Sequence, residues 1–393
     1  MSSELPQPST DACEASIALS QIIGAEITAG GGWMSFARYM ELALYAPGLG
    51  YYSGGSRKFG SDGDFITAPE LTPLFGQALA RQVAQILLAS TPHVIEAGAG
   101  SGRLAADLLP ALSALGCAPE RYGILELSGE LRARQQATLA EYAPEFLDRV
   151  DWLDELPDRF SGCLLGNEVL DAMPTHVVLW SSNGIGEMGV GIEDDQLVWA
   201  EHPAAGALLD EARALPVTAP YYGEISLAAR SWVAELSRRL ERGAILLLDY
   251  GLPRHELYHP LQERGTVRCH YRHRVHDNPF WYPGLSDITS HVDFTAVAEA
   301  GFDAGLDVLG YSNQANFLLN CGIGELLQEK TAALAALEKV GTSGTGAAFK
   351  AQAAVSILLS PNEMGELFKV IALGRGMPSP LLGFAHGDKL HTL

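Results

Sequence analysis

The chain has 393 residues and a formal net charge of −21, from 26 Lys and Arg against 47 Asp and Glu. Hydrophobic residues make up 47% and charged residues 19%, which supplies a large buried core and excludes a disordered chain. The acidic balance argues against nucleic acid or an anionic membrane, partners that need a positive footprint, and suits cationic ligands. Apolar spacing is helical over residues 15–46 with a break at Gly30-Gly31-Gly32, after a Ser/Pro/Thr-rich start over 1–12 that is expected to fray. A Gly/Ser/Asp-rich loop over 48–68 leads to a helix opening at Pro69 and running to Leu87. Short apolar runs at 93–97, 122–126, 150–152 and 163–168 then alternate with helices at 103–115 and 128–142. Each parallel strand pair needs a crossover, so the alternation predicts an α/β fold with a Rossmann-like, mostly parallel, doubly wound sheet.

Residues 175–201 read as three strands separated by Asn183-Gly184 and Asp194-Asp195, an antiparallel β insertion. A helix over 225–242 feeds a strand over 244–249, whose unbroken Ile245-Leu246-Leu247-Leu248 predicts burial on both faces. Residues 254–283 have little periodicity and are crowded with Arg, His, Tyr and Pro, so a long structured loop is expected. A helix over 294–300, a strand over 306–309, helices over 313–328 and 331–340 and a strand over 368–373 follow. The expected division is an N-terminal helical segment over 1–90 that covers a ligand site, and an α/β core over 91–393 with insertions near 175–223 and 252–293.

Five cysteines, Cys13, Cys117, Cys163, Cys269 and Cys321, are scattered with no C-x-x-C pair, which points away from a disulfide framework and towards a reducing compartment. No apolar run approaches the roughly 20 residues of a membrane helix. The first 37 residues contain no Lys or Arg, which suits neither a secretory signal nor an Arg-rich transit peptide. A cytoplasmic location is expected.

Three motifs carry chemistry. Glu96-Ala97-Gly98-Ala99-Gly100-Ser101-Gly102 lies at a strand-to-helix turn, where glycines permit tight turning and close approach to a ligand. A dinucleotide fingerprint would need glycine at 103, where Arg103 stands; the form E-x-G-x-G-x-G is instead that of class I S-adenosylmethionine (SAM) methyltransferases. In that pattern Glu96 faces the cofactor's amino-acid end. Glu126 ends the next strand, where an acid accepts hydrogen bonds from both ribose hydroxyls. Asn167, Glu168 and Asp171 follow the fourth strand, beyond the carboxyl ends of the strands where ligands bind in such sheets; Asp171 as a helix cap and Asn167 as a loop brace are the bland alternatives.

The set resembles the MidA family of SAM-dependent methyltransferases, which includes mitochondrial complex I assembly-factor protein arginine methyltransferases and many bacterial relatives. The resemblance spans about residues 27–373. It includes Gly50-Tyr51-Tyr52, Gly63-Asp64-Phe65-Ile66-Thr67-Ala68-Pro69-Glu70, the Glu96–Gly102 loop, Leu125-Glu126-Leu127-Ser128 with Gln135, Asn167 to Pro174, Asp249-Tyr250-Gly251, Asp287 to Phe294, and Phe368-Lys369. The chain departs from the family at Ala99, at Val169 and Leu170 where aromatic residues are common, and at Ser290.

The resemblance implies SAM as cofactor, a protein substrate with an acceptor arginine, and a bacterial cytoplasmic setting. An arginine acceptor stays protonated and presents a rigid fork of donors, so it needs carboxylates that orient one nitrogen towards the methyl. Glu168 is the first candidate for that clamp, with Asn167 and Asp171 beside it in the catalytic set. Gly98, Gly100, Gly102, Glu96 and Glu126 are assigned to the cofactor, with Asp64 and Thr67 from the preceding loop; Thr67-Ala68-Pro69-Glu70 also reads as a helix cap, first-turn proline and capping-box acid. His273 and Asp287 are candidates for the acceptor channel. His270, His273, His276 and Cys269 raise the question of zinc, but His-x-x-His-x-x-His suits no single helix face and Arg268, Arg272 and Arg274 repel a cation, so no metal is expected. A small-molecule methyltransferase and a non-catalytic assembly factor or chaperone on the same fold are the competing functions, and monomer and homodimer stand equally open.

Overall fold

The computed structural model describes residues 5–54, 67–262, 264–338 and 345–393. Contacts divide the chain into two units. A sheet unit holds the described parts of Ile66–Val169, Val233–Gly251 and Ala298–Leu393. An insert unit holds those of Met1–Phe65, Leu170–Trp232 and Leu252–Val297.

The sheet unit is built on strands β1 (His93–Ala97), β2 (Arg121–Leu125), β3 (Val150–Leu153), β4 (Phe160–Asn167), β5 (Leu240–Leu252), β6 (Asp307–Asn313) and β7 (Phe368–Arg375). Their order is β3-β2-β1-β4-β5-β7-β6, with β1 to β5 parallel and β7 antiparallel to both neighbours. The expected doubly wound sheet is therefore present, and β7 runs antiparallel between β5 and the edge strand β6. Ile245 to Leu248 on β5 are at most 1% exposed, as their unbroken apolar run requires. Full burial of each such side chain contributes about 1.5–3 kcal/mol relative to exposure. The apolar faces of helices Pro73–Ala89 and Arg103–Ala114 close one side of this core.

The insert unit packs helices Thr10–Ala29 and Phe36–Tyr45 with an antiparallel sheet in which Gly184–Glu193 pairs with Met34–Ser35, His176–Ser181 and Gln196–Pro203, and His176–Ser181 pairs with Tyr221–Ile225. The β insertion read from 175–201 is present, extended by helix Gly206–Ala214 and strand Tyr221–Ile225, which sequence periodicity did not reveal.

Several local readings are corrected. Ser9 caps a helix from Thr10, its hydroxyl accepting from Ala12 N–H, so order begins earlier than expected. The helix expected from Pro69 is two, Ala68–Leu71 and Pro73–Ala89, because Thr72 is extended before Pro73 and caps the second. The helix expected over 225–242 is Leu227–Arg239, with β5 starting immediately after it. The helix expected over 313–328 breaks before Ile323, where Gly322 takes φ 78°. Helix Thr345–Leu359 is additional.

The stretch 254–283 departs most from expectation. It contains helix Arg254–Leu257 and a hairpin, Arg268–Tyr271 with Arg274–His276, joined to Asp287–Thr289 in a three-stranded antiparallel sheet. The hairpin turn places Arg272 and His273 at φ 47° and 60°, so it lacks the Asn-Gly signal that would have announced it.

Candidate functional site

The glycine loop follows β1 and opens helix Arg103–Ala114. Gly98, Gly100 and Gly102 take φ 64°, 53° and 83°, all in the left-handed region that glycine adopts without strain. Space is as restrictive as conformation: a Cβ on Gly98 would stand 3.1 Å from Val169 Cγ2, and one on Gly102 3.0 Å from Gln135 Cα. Ser101 donates its hydroxyl to Glu70, tying the loop to helix Ala68–Leu71. Thr67 is half-buried at the start of that helix but makes no side-chain cap bond, and the expected capping-box acid Glu70 serves the glycine loop instead. Arg103 forms a two-point ion pair with Asp107 at 2.9 and 3.1 Å, its guanidinium lying 4.3 Å from the Tyr142 ring centroid.

Two acids flank the loop. Glu96 is 2% exposed and accepts a 2.6 Å hydrogen bond from the Tyr122 hydroxyl. Burial pushes its carboxyl up to about 7, against the opposing pull of that bond. Glu126, half-buried after β2, accepts from Ser128 N–H at 2.8 Å and from Gln135 Nε2 at 3.2 Å. Burial also raises its pKa, partly offset by those donors and by Arg132.

Gln135 joins the parts. Its amide donates to Gly100 O at 3.1 Å as well as to Glu126, and accepts from Trp152 Nε1 at 2.9 Å. The sequence marked it only as a matched position. The signal was present, since Gln135 interrupts the buried stripe Leu131-Gln135-Leu139 of helix Gly129–Tyr142 with a fully buried amide.

At the tip of β4, Glu168 takes φ 55°, a conformation that costs a non-glycine residue roughly 1–3 kcal/mol and persists where surroundings enforce it. Its N–H donates to Leu248 O at 2.8 Å, and Asn167 Nδ2 donates to its Oε1 at 2.9 Å. Val169 N–H donates to Asp249 Oδ2 at 3.0 Å. Asn167 Oδ1 is buried and meets no hydrogen-bond donor among the described residues.

Asp171 and Asp287 belong to the insert unit, 6% and 3% exposed. Tyr52 donates its hydroxyl to Asp287 Oδ1 at 2.9 Å, and its pKa is pushed well above the ordinary value by burial, then by Asp287, Tyr45 and Asp171. The structure thus gathers both acids around Tyr52. His273 is elsewhere, exposed at the hairpin turn, and Asp64 lies outside the described residues. His270 and His276 stand on the paired strands of that hairpin, and burial holds both imidazoles below their ordinary pKa, helped at His270 by His276 and Arg268. Among the described residues, no group of three His, Cys, Asp or Glu is placed to hold a metal ion. Among them, too, no helix is long and apolar enough to cross a membrane.

Comparison with known proteins shows the family. A family model described as "Putative S-adenosyl-L-methionine-dependent methyltransferase" matches residues 78–312. A Burkholderia thailandensis protein solved bound to S-adenosyl-homocysteine is 50% identical, with a TM-score of 0.93 over 99% of this chain and 100% of that one. The mitochondrial protein arginine methyltransferase NDUFAF7 of Mus musculus is 30% identical over 87% of this chain and 81% of its own. Its Danio rerio counterpart is 29% identical over 87% and 83%. This chain belongs to the MidA-like family of SAM-dependent methyltransferases.

Proposed function

We propose that the chain transfers the methyl group of SAM to a guanidinium nitrogen of arginine in a protein substrate. SAM supplies an electrophilic methyl on a sulfonium; the carbon–sulfur bond breaks as a carbon–nitrogen bond forms, and one guanidinium proton is released. The residues fit such a cofactor. A Cβ at Gly98 would press on Val169 and one at Gly102 on Gln135, so glycine alone keeps the tight turn that lets the loop's backbone serve a ligand. Gly100 is held by Gln135, which also steadies Glu126 for the ribose hydroxyls. Glu96 is assigned to the amino-acid end, acting from beneath the loop, and Asp64 and Thr67 to the preceding loop.

The observation that carries the acceptor reading is the enforced turn at Glu168. It presents a carboxylate beside a buried acceptor, Asn167 Oδ1, that has no donor within the described chain. A protonated guanidinium offers that carboxylate a rigid fork of donors, which an ammonium does not match. Transfer then depends on holding the nitrogen in line about 3–3.5 Å from the methyl, more than on a strong base. Asp171 and Asp287, gathered around Tyr52, are assigned to the acceptor; His273, exposed at the hairpin turn, is placed apart from them. The names of the NDUFAF7 relatives support arginine as the acceptor. The net charge of −21 supports attraction of a cationic one.

The test is incubation of the chain with methyl-labelled SAM and an extract of cells lacking it, followed by acid hydrolysis of the protein fraction. Label in methylarginine is expected. Label confined to metabolites would indicate a small-molecule methyltransferase, and no transfer despite SAM binding would indicate a docking protein.

A further inference from the structure

Asp249, near the end of β5, is used by neither the cofactor reading nor the acceptor reading. Both its oxygens are nevertheless committed to backbone amides. Oδ2 accepts from Val169 N–H at 3.0 Å and Oδ1 from Tyr250 N–H at 2.9 Å, and the residue is 1% exposed. Its neighbour Leu248, which faces Asn167 across the β4–β5 ladder, accepts from Glu168 N–H at 2.8 Å. The amides on both sides of Glu168 Cα are therefore gripped by adjacent residues of one buried strand. Between those two grips Glu168 takes its φ of 55°.

The chemistry of the grip is specific. A carboxylate offers a separate acceptor to each amide, whereas an asparagine offers one acceptor and two donors. Asparagine at 249 would set an NH2 group against either Val169 N–H or Tyr250 N–H, and the turn would relax. A glutamate would keep both acceptors on a longer stem.

We propose that Asp249 is a positioning residue for methyl transfer that acts through Glu168: it clamps the Val169 amide and so aims the Glu168 carboxylate at the acceptor nitrogen. The inference rests on the reading of Glu168 as the acceptor clamp. It assigns a task to Asp249-Tyr250-Gly251, a motif that the cofactor and acceptor assignments leave unused.

The experiment is a double-mutant cycle in the full chain, with tritiated SAM as donor and extract of cells lacking the chain as acceptor source. Asp249→Asn is expected to lower turnover on the order of 10- to 100-fold, as small misplacements of a reacting geometry do. S-adenosylhomocysteine affinity, read by calorimetry, is expected to stay unchanged. In a Glu168→Asp background, where the carboxylate is already displaced, Asp249→Asn is expected to add little, because residues acting through one another are not additive. Fully additive losses, or losses that track weakened S-adenosylhomocysteine binding, overturn the inference while leaving Glu168 in place. Wild-type turnover in Glu168→Gln overturns the Glu168 reading itself. If Asp249→Asn does not fold, Asp249→Glu, which keeps both acceptors but shifts the turn by its longer stem, takes its place: a loss of turnover that Glu168→Asp absorbs supports the inference, and an additive loss or wild-type turnover overturns it.

Discussion

In the sheet unit, Glu96, Glu126 and Glu168 stand at or just beyond strand ends, and each carboxylate has a donor from its own unit: Tyr122 for Glu96, Ser128 and Gln135 for Glu126, Asn167 for Glu168. In the insert unit, Asp171 and Asp287 come from segments more than a hundred residues apart and meet around a tyrosine from a third. Strand-tip acids are aimed by the sheet, so a short motif fixes their place; the insert's acids depend on tertiary assembly of three chain segments, which no local pattern encodes.

The strongest way to break the comparison is Glu168→Gln. Replacing the carboxylate should lower turnover by about 100-fold or more, because a charge-assisted, two-point grip on the guanidinium is lost. S-adenosylhomocysteine affinity should be retained, as calorimetry would check; loss of both together would move Glu168 from the acceptor to the cofactor.

Next comes Glu96, whose carboxyl is moved from 4.5 to about 7 by burial. A raised acid pKa makes the ionised form a cost to the fold. Below about 4.5 both folded and unfolded states are protonated and nothing is lost; the cost grows as pH rises towards 7 and is full above it. At about 1.4 kcal/mol for each pH unit between those two values, the full cost is roughly 3 kcal/mol. Glu96→Gln keeps an acceptor for Tyr122 and removes the charge. Its melting temperature should therefore exceed that of wild type above neutral pH and match it in acid, whereas parallel melting profiles across pH would show that burial does not govern this carboxyl.

A smaller effect is expected at Glu126. Glu126→Ala removes the proposed ribose acceptor and leaves Ser128 N–H and one Gln135 donor without it, so S-adenosylhomocysteine should bind about 10- to 100-fold more weakly, in line with roughly 1.5–3 kcal/mol for hydrogen bonds to a charged group. Unchanged affinity in a titration would remove Glu126 from the cofactor site. The smallest effect belongs to the insert unit: Asp287→Asn retains an acceptor for Tyr52 and should raise KM for the protein acceptor by about 10-fold, or roughly 1.4 kcal/mol, with kcat nearly unchanged. A fall in kcat at constant KM would instead put Asp287 in the chemistry.

How much was legible follows the same division. Strand β1 was read at its full length, and β2 to β4 within three residues at either end, because parallel strands flanked by helices leave short apolar runs and glycine punctuation. The places of Glu96, the glycines and Glu126 at the ends of β1 and β2 follow from spacing alone. Gln135 was visible as an amide in an apolar stripe, but its bonds to Gly100, Glu126 and Trp152 are contacts across the fold. The hairpin at Arg272-His273 was hidden because arginine and histidine occupy a turn that usually advertises itself with asparagine and glycine. Helix Gly206–Ala214 lies in a stretch with only two fully buried residues, Leu208 and Ala212, too few for a periodic signal. The neighbourhood of Asp171 and Asp287 leaves no trace in spacing.

On the proposed function, Glu168 faces the methyl donor and grips the acceptor. A crystal structure with S-adenosylhomocysteine tests it most directly. The thioether sulfur is expected to point towards the Glu168 carboxylate, with an open gap between them large enough for one guanidinium. A sulfur directed away from Glu168, or a protein side chain filling that gap, would contradict it.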